Sequence, residues 1–194
     1  MEYQNQSEAR EQILSAVREY AGRCHGEDDE APRRRIPYAG RVYDQEELVN
    51  LVDSALEFWL TSGRYTERFE RDLSNYLGVN YCSFVNSGSS ANLLAFMALT
   101  APELGARQIR RGDEIITVAC GFPTTVAPIL QYGAVPVFVD IQIPTYNAAV
   151  SALENALSNR TKAVMLAHTL GNPFDLQMVK GFCRRHGLWL IEDN

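Results

Sequence analysis

Lysine is nearly absent: among 194 residues only Lys162 and Lys180 carry that side chain. Lys162 stands ahead of a short apolar run, and Lys180 sits beside Gln177 and Arg184 on a polar helical face. Neither is placed to serve as a buried covalent anchor. Cysteine is also sparse. Cys24, Cys82, Cys120 and Cys183 are widely scattered and form no CxxC pair, which excludes a zinc-ribbon pattern and a disulfide framework. No apolar run approaches the length of a membrane span, and the start, MEYQNQSEAREQIL, has no apolar core of the signal-peptide kind. These absences point to a cytoplasmic protein with no membrane partner. Basic charge is short as well: the net charge of -6 argues against nucleic acid as a partner, since phosphate backbones are bound by clustered Lys and Arg.

What is present is a globular composition, 46% apolar, on a chain long enough for one domain with a substantial core. Residues 7–21 have helical periodicity, with Ile13, Leu14, Val17 and Ala21 on one face. The stretch 22–41 mixes charge, Gly and Pro without a period and reads as a linker or extended arm. Residues 1–43 are therefore expected to form an N-terminal helix and arm, ahead of a larger domain over 44–194. Asp44 and Glu47 have the spacing of a capping box, and Leu48, Leu51, Val52, Ala55, Leu56 and Trp59 form the stripe of the helix that follows. A further helix carries Phe69, Leu73, Tyr76 and Leu77 and ends at Gly78.

Beyond Gly78 the pattern alternates. Apolar strands are expected at 81–85, 114–118, 135–139, 163–167 and 188–191, with helices near 90–104, 123–132, 149–158 and 175–186. That order predicts an α/β fold with a mainly parallel sheet covered by helices on both faces.

In such a sheet the residues just after each strand face the ligand crevice. The first such turn is NSGSSAN, 86–92, running into a helix. Its backbone N–H groups with Ser87, Ser89 and Ser90 suit either a phosphate cradle or an ordinary serine-capped turn. The second is ACGFPTT, 119–125, where Phe122 precedes a proline suited to a first helical turn. Its ring is placed either to stack on a flat ligand or to pack in the core. His168 follows the fourth strand, as a ligand-side group or a structural histidine. Glu192 and Asp193 follow the fifth. One ligand satisfies these positions together: a planar heteroaromatic with a phosphate and a ring nitrogen that gains from protonation. Pyridoxal phosphate has this chemistry, and Asp193 is the candidate partner of its ring nitrogen.

The segments FVNSGSSANLLAFMAL, ACGFPTTV, AHTLGNPFDL and LWLIEDN resemble the DegT/DnrJ/EryC/StrS sugar aminotransferase and dehydrase family, whose members have the fold-type I pyridoxal phosphate-dependent transferase large domain. RIPYAGRVYD and WLTSGRYTERFE are similar to its CDP-4-dehydro-6-deoxyglucose 3-dehydrase branch, which serves 3,6-dideoxyhexose and O-antigen lipopolysaccharide synthesis. The resemblance implies that Gly88 and Ser89 belong to the phosphate-binding loop, beside Ser90 of the same turn, that Phe122 stacks on the ring and that Asp193 pairs with the pyridine nitrogen. It further implies pyridoxamine 5'-phosphate or pyridoxal 5'-phosphate as cofactor, a CDP-linked 4-keto-6-deoxy sugar as substrate and loss of the C3 hydroxyl. A homodimer, an iron–sulfur cluster and a reductase electron donor complete the expectation. In that branch histidine replaces the aminotransferase lysine, and both it and the cluster ligands follow the EDN segment. The chain is thus expected to be an N-terminal part of the enzyme, with no catalytic base or metal ligand of its own. Beside this reading stand a nucleotide-sugar aminotransferase, which differs by a downstream lysine, and a noncatalytic cofactor-binding or assembly fragment. The loop TYNAAV, 145–150, lacks the acid the family places after Asn-Ile, which is expected to cost a helix cap and spare the site. The triple arginine 33–35 is either a solvated linker or a diphosphate contact.

Overall fold

A computed structural model describes residues 2–24 and 40–194; the triple arginine and most of the expected linker lie outside the described residues. The chain forms two compact units, Met1–Ser83 and Phe84–Asn194.

The first unit contains α1 (Glu2–Cys24), α2 (Gln45–Glu57) and α3 (Arg64–Leu77). Leu14 and Ala21 of α1 and Val49 of α2 are its buried apolar side chains. Polar contacts tie the pair together: Arg10 donates to the Asp53 carboxylate at 2.6 Å and to the Asp53 carbonyl at 2.8 Å. The same carboxylate accepts from Arg64 at 2.6 Å and from the Tyr65 hydroxyl. Asp44 caps α2 with Glu47 in the reciprocal capping box that their spacing predicts. α3 ends in a left-handed Gly78, φ 66, as expected. The expected stripe on α2 is not the buried face. Leu51 and Trp59 are exposed while Val49 is buried, because the polar network on Asp53 turns that side of the helix toward α1.

The second unit is a parallel sheet with helices on both faces. Its elements are α4 (Gly88–Ala98), β1 (Glu114–Val118), α5 (Pro123–Tyr132), β2 (Val135–Val139), β3 (Ile141–Gln142), β4 (Asn147–Ala148), α6 (Leu153–Ala156), β5 (Thr161–Ala167), α7 (Leu176–His186) and β6 (Trp189–Asp193). The four-stranded sheet has the order β2-β1-β5-β6, all pairs parallel, and β3 and β4 form a small antiparallel hairpin beside it. Alternation along the strands divides the core. Ile115, Ala163, Met165 and Ile191 face Phe96 of α4 and Ile129 of α5. Ile116, Val118, Val164 and Leu166 face Leu153 of α6 and Val179 and Phe182 of α7. Burial of both faces explains why these strands read as unbroken apolar runs.

Two expectations are corrected. Residues 81–85 form no strand, since an apolar run becomes a strand only beside a partner and the four-stranded sheet ends at β2 and β6 without it. Glu192 and Asp193 do not follow the last strand but are its final residues, paired in register with Leu166 and Ala167. The helix expected at 90–104 runs over Gly88–Ala98, and that expected at 149–158 shrinks to a 3-10 turn at Val150–Ala152 followed by α6.

Candidate cofactor site

The parallel sheet brings the C-terminal ends of β1, β5 and β6 together with the N-terminal ends of α4 and α5. Ser87 caps α4, its hydroxyl accepting from the Ser90 N–H at 3.2 Å. Pro123 opens α5 with Phe122 at the cap. The two helix starts lie side by side, and the Ser89 hydroxyl donates to that of Thr124 at 3.3 Å. Two converging helix N-termini present free N–H groups and positive dipole ends, the arrangement that favours a phosphate.

Asp193 lies at the end of β6 below these helix starts. Its Oδ2 accepts from Asn92 Nδ2 at 2.8 Å and from the Thr125 hydroxyl at 2.5 Å. Both donors are buried, Asn92 at 6% and Thr125 at 2% exposure. Oδ1 takes no hydrogen bond among the described residues, so one oxygen is oriented by neutral donors and the other is left to accept from a ligand N–H. This donor set fits a pyridinium nitrogen.

Phe122 and Asp193 line one cleft of about 490 Å³. Phe122 is 69% exposed, so it lies at the cleft and not in the core. Gly88 and Asp193 share a second depression, whereas Ser89 and Ser90 line a groove between α4 and α5. The Ser90 hydroxyl is turned into the loop, donating to Asn86 Oδ1 at 2.7 Å, so its side chain is committed locally while that of Ser89 faces Thr124. A side chain at Gly88 would meet nothing within 4 Å, and its absence leaves the first turn of α4 open to a ligand.

His168 lines the same cleft, its Nδ1 is buried without a hydrogen-bond partner among the described residues, and its ring is held in place. Its ring stacks on Phe174 at 4.2 Å and 3°, Nε2 lies 3.3 Å from Glu192 Oε2, and its backbone N–H donates to the Asp193 carbonyl at 3.0 Å. The last contact extends the β5–β6 ladder to the rung that carries Asp193.

Reading the strand ends missed Asn92, Thr124 and Thr125. All three lie within the quoted segments, yet hydroxyls in a first helical turn and an amide just beyond one read as caps. Only the sheet shows that Asn92 and Thr125 face Asp193. Tyr146 also lines the cleft. The 3-10 turn after its loop begins at Ala149 with no side-chain hydrogen bond.

Among the described residues no helix is long and apolar enough to cross a membrane. Comparison with known proteins gives consistent matches. The lipopolysaccharide biosynthesis protein RfbH of Salmonella typhimurium is 48% identical over 185 residues, covering 95% of this chain and 42% of that protein. The dTDP-4-dehydro-2,6-dideoxy-D-glucose 3-dehydratase of Saccharopolyspora spinosa is 44% identical, covering 96% of this chain and 40% of its own length. The structure of the E. coli GDP-4-keto-6-deoxy-D-mannose-3-dehydratase, solved with hydrated pyridoxal phosphate, superposes with a TM-score of 0.73 at 34% identity, over 82% of this chain and 41% of that one. The chain thus spans about two fifths of the length of the relatives it matches, and its sheet and helices are those of the pyridoxal phosphate-dependent aminotransferase fold. Residues 42–194 match the DegT/DnrJ/EryC1/StrS aminotransferase family, and the chain belongs to that family.

Proposed function

We propose that the protein carrying this sequence removes the C3 hydroxyl of a CDP-linked 4-keto-6-deoxy sugar with pyridoxamine 5'-phosphate, in the building of 3,6-dideoxyhexoses for O-antigen. The observation that carries this is Asp193, oriented through Oδ2 by Asn92 and Thr125 with Oδ1 left open. When bound, the cofactor supplies an amine for the sugar ketone and a ring that accepts electrons. The chain's own residues bind and orient it. Gly88, Ser89 and Ser90, with the first turns of α4 and α5, hold the phosphate. Phe122 covers one ring face, and Asp193 keeps a proton on the ring nitrogen.

Likeness to RfbH and to a 3-dehydratase supports dehydration over amino transfer. The proton-abstracting base and the ligands of an iron–sulfur cluster are assigned outside this chain. A reductase donor, a homodimer and a cytoplasmic location complete the reading. The family's aminotransferase activity is the second reading, favoured by the 34% identical GDP-perosamine synthase of Vibrio cholerae.

Incubation with CDP-4-keto-6-deoxyglucose, pyridoxamine phosphate and a reductase, followed by mass spectrometry, distinguishes the two. A 3-deoxy product supports dehydration; an amino sugar formed with glutamate would establish the transferase instead. Titration of the 194-residue chain with pyridoxamine phosphate tests the site separately: saturable binding supports it, and no binding would leave an assembly role for the chain.

A further inference from the structure

Three non-glycine residues among those described hold a left-handed backbone: Phe58, Tyr146 and Leu170. Tyr146, φ 59, and Leu170, φ 55, line the same cleft as Phe122 and Asp193. In that conformation a side chain crowds the following carbonyl, so it persists only where the surroundings impose it. Packing among the described residues does not repay it, since Leu170 is 87% exposed and Tyr146 43%.

The imposing group is Asn147, which is 5% exposed. Its Nδ2 donates to the Asn172 carbonyl at 3.0 Å, and its Oδ1 accepts from the Thr169 N–H at 3.2 Å. The Thr169 hydroxyl in turn donates to the Tyr146 carbonyl at 3.2 Å. Two loops, 143–146 and 168–172, are thereby tied to each other, and each carries one strained residue at the cleft. Strain kept by buried hydrogen bonds, on side chains left uncovered, marks a surface held ready for a ligand.

We infer that Tyr146 and Leu170 form the wall of the cleft that receives the deoxyhexose ring of the nucleotide sugar, an assignment that rests on the function proposed above. Phe122 and Asp193 of this cleft are assigned to the cofactor, and Tyr146 and Leu170 are the exposed, strained side chains beside them, placed to meet what the cofactor reacts with. A 6-deoxyhexose presents C–H faces and a methyl group, and an aromatic ring with a leucine matches them. No lysine or arginine lines the cleft among the described residues.

The test uses the protein that carries this sequence, loaded with pyridoxamine phosphate, and measures its affinity for CDP-4-keto-6-deoxyglucose. Leu170→Gly and Tyr146→Gly suit the purpose because glycine relieves the left-handed backbone and leaves the loop able to fold. Each variant is expected to bind the sugar nucleotide about tenfold more weakly, with cofactor affinity unchanged and thermal stability unchanged or raised. Equal sugar affinity in wild type and variants would overturn the inference alone. So would lower thermal stability with sugar affinity intact, since the pair would then serve packing. A wild-type protein that binds cofactor and no sugar nucleotide would overturn the proposed function, and this assignment with it.

Discussion

At the residue scale the site depends on a few groups with separable roles. Phe122→Ala should weaken pyridoxamine phosphate binding by about 1 kcal/mol, the size of one stacking contact. Because Phe122 is 69% exposed, thermal unfolding without cofactor should be unaffected. Asp193→Asn keeps the shape and removes the charge. An amide cannot hold a proton on the ring nitrogen, so turnover should fall by orders of magnitude while the cofactor still binds; turnover near wild type would rule the role out. Thr125→Val is nearly isosteric and removes the hydroxyl that donates to Asp193. It should cost about 1 kcal/mol in urea unfolding, since the carboxylate keeps Asn92 and reaches solvent. These predictions show where reading the sequence stopped. Asp193 was legible because acids end an apolar strand; Asn92 and Thr125 were not, because their partner is 101 and 68 residues away.

At the element scale the first unit offers a pH test. Hydrogen bonds from Arg10, then from Tyr65 and Arg64, hold the Asp53 carboxyl well below its usual value of 3.8. A carboxyl whose folded value is depressed stabilises the fold above the unfolded value, and loses that contribution as pH falls through the folded one. Urea unfolding followed from about pH 6 down to pH 3 should therefore show stability falling at the acid end. Asp53→Asn should be less stable at neutral pH and show a flatter acid limb. The helices themselves were legible from local chemistry, as the Asp44–Glu47 box and the left-handed Gly78 show. The face of α2 was not. Its apolar stripe includes Leu51, which is 66% exposed, whereas the polar Asp53 lies against Arg10.

At the scale of the molecule, the shortage of lysine becomes a prediction. The Lys162 ammonium lies near the Ala106 carbonyl at 3.4 Å, on the second residue of β5 and so at the end of that strand away from the site. Lys180 lies within α7, on the sheet face opposite α4 and α5. Treatment of this chain with pyridoxal phosphate and borohydride should therefore label neither lysine stoichiometrically. Stoichiometric labelling, competed by pyridoxamine phosphate and located by peptide mass analysis, would mean that the site is elsewhere.

The sequence by itself determined the parallel α/β order, the strands β1, β2, β5 and β6, the capped helix starts and the placement of Phe122 and Asp193 at one cleft. These follow from periodicity, turn chemistry and the rule that strand ends face ligands, all of which act over a few residues. Tertiary structure alone decided that residues 81–85 form no strand, that Phe122 stands exposed, that Asn92 and Thr125 hold Asp193, and that Asn147 ties Tyr146 to Leu170. Each of these depends on a partner distant in the chain, and a hydrogen bond or a strand pair exists only once packing has set both partners at bonding distance.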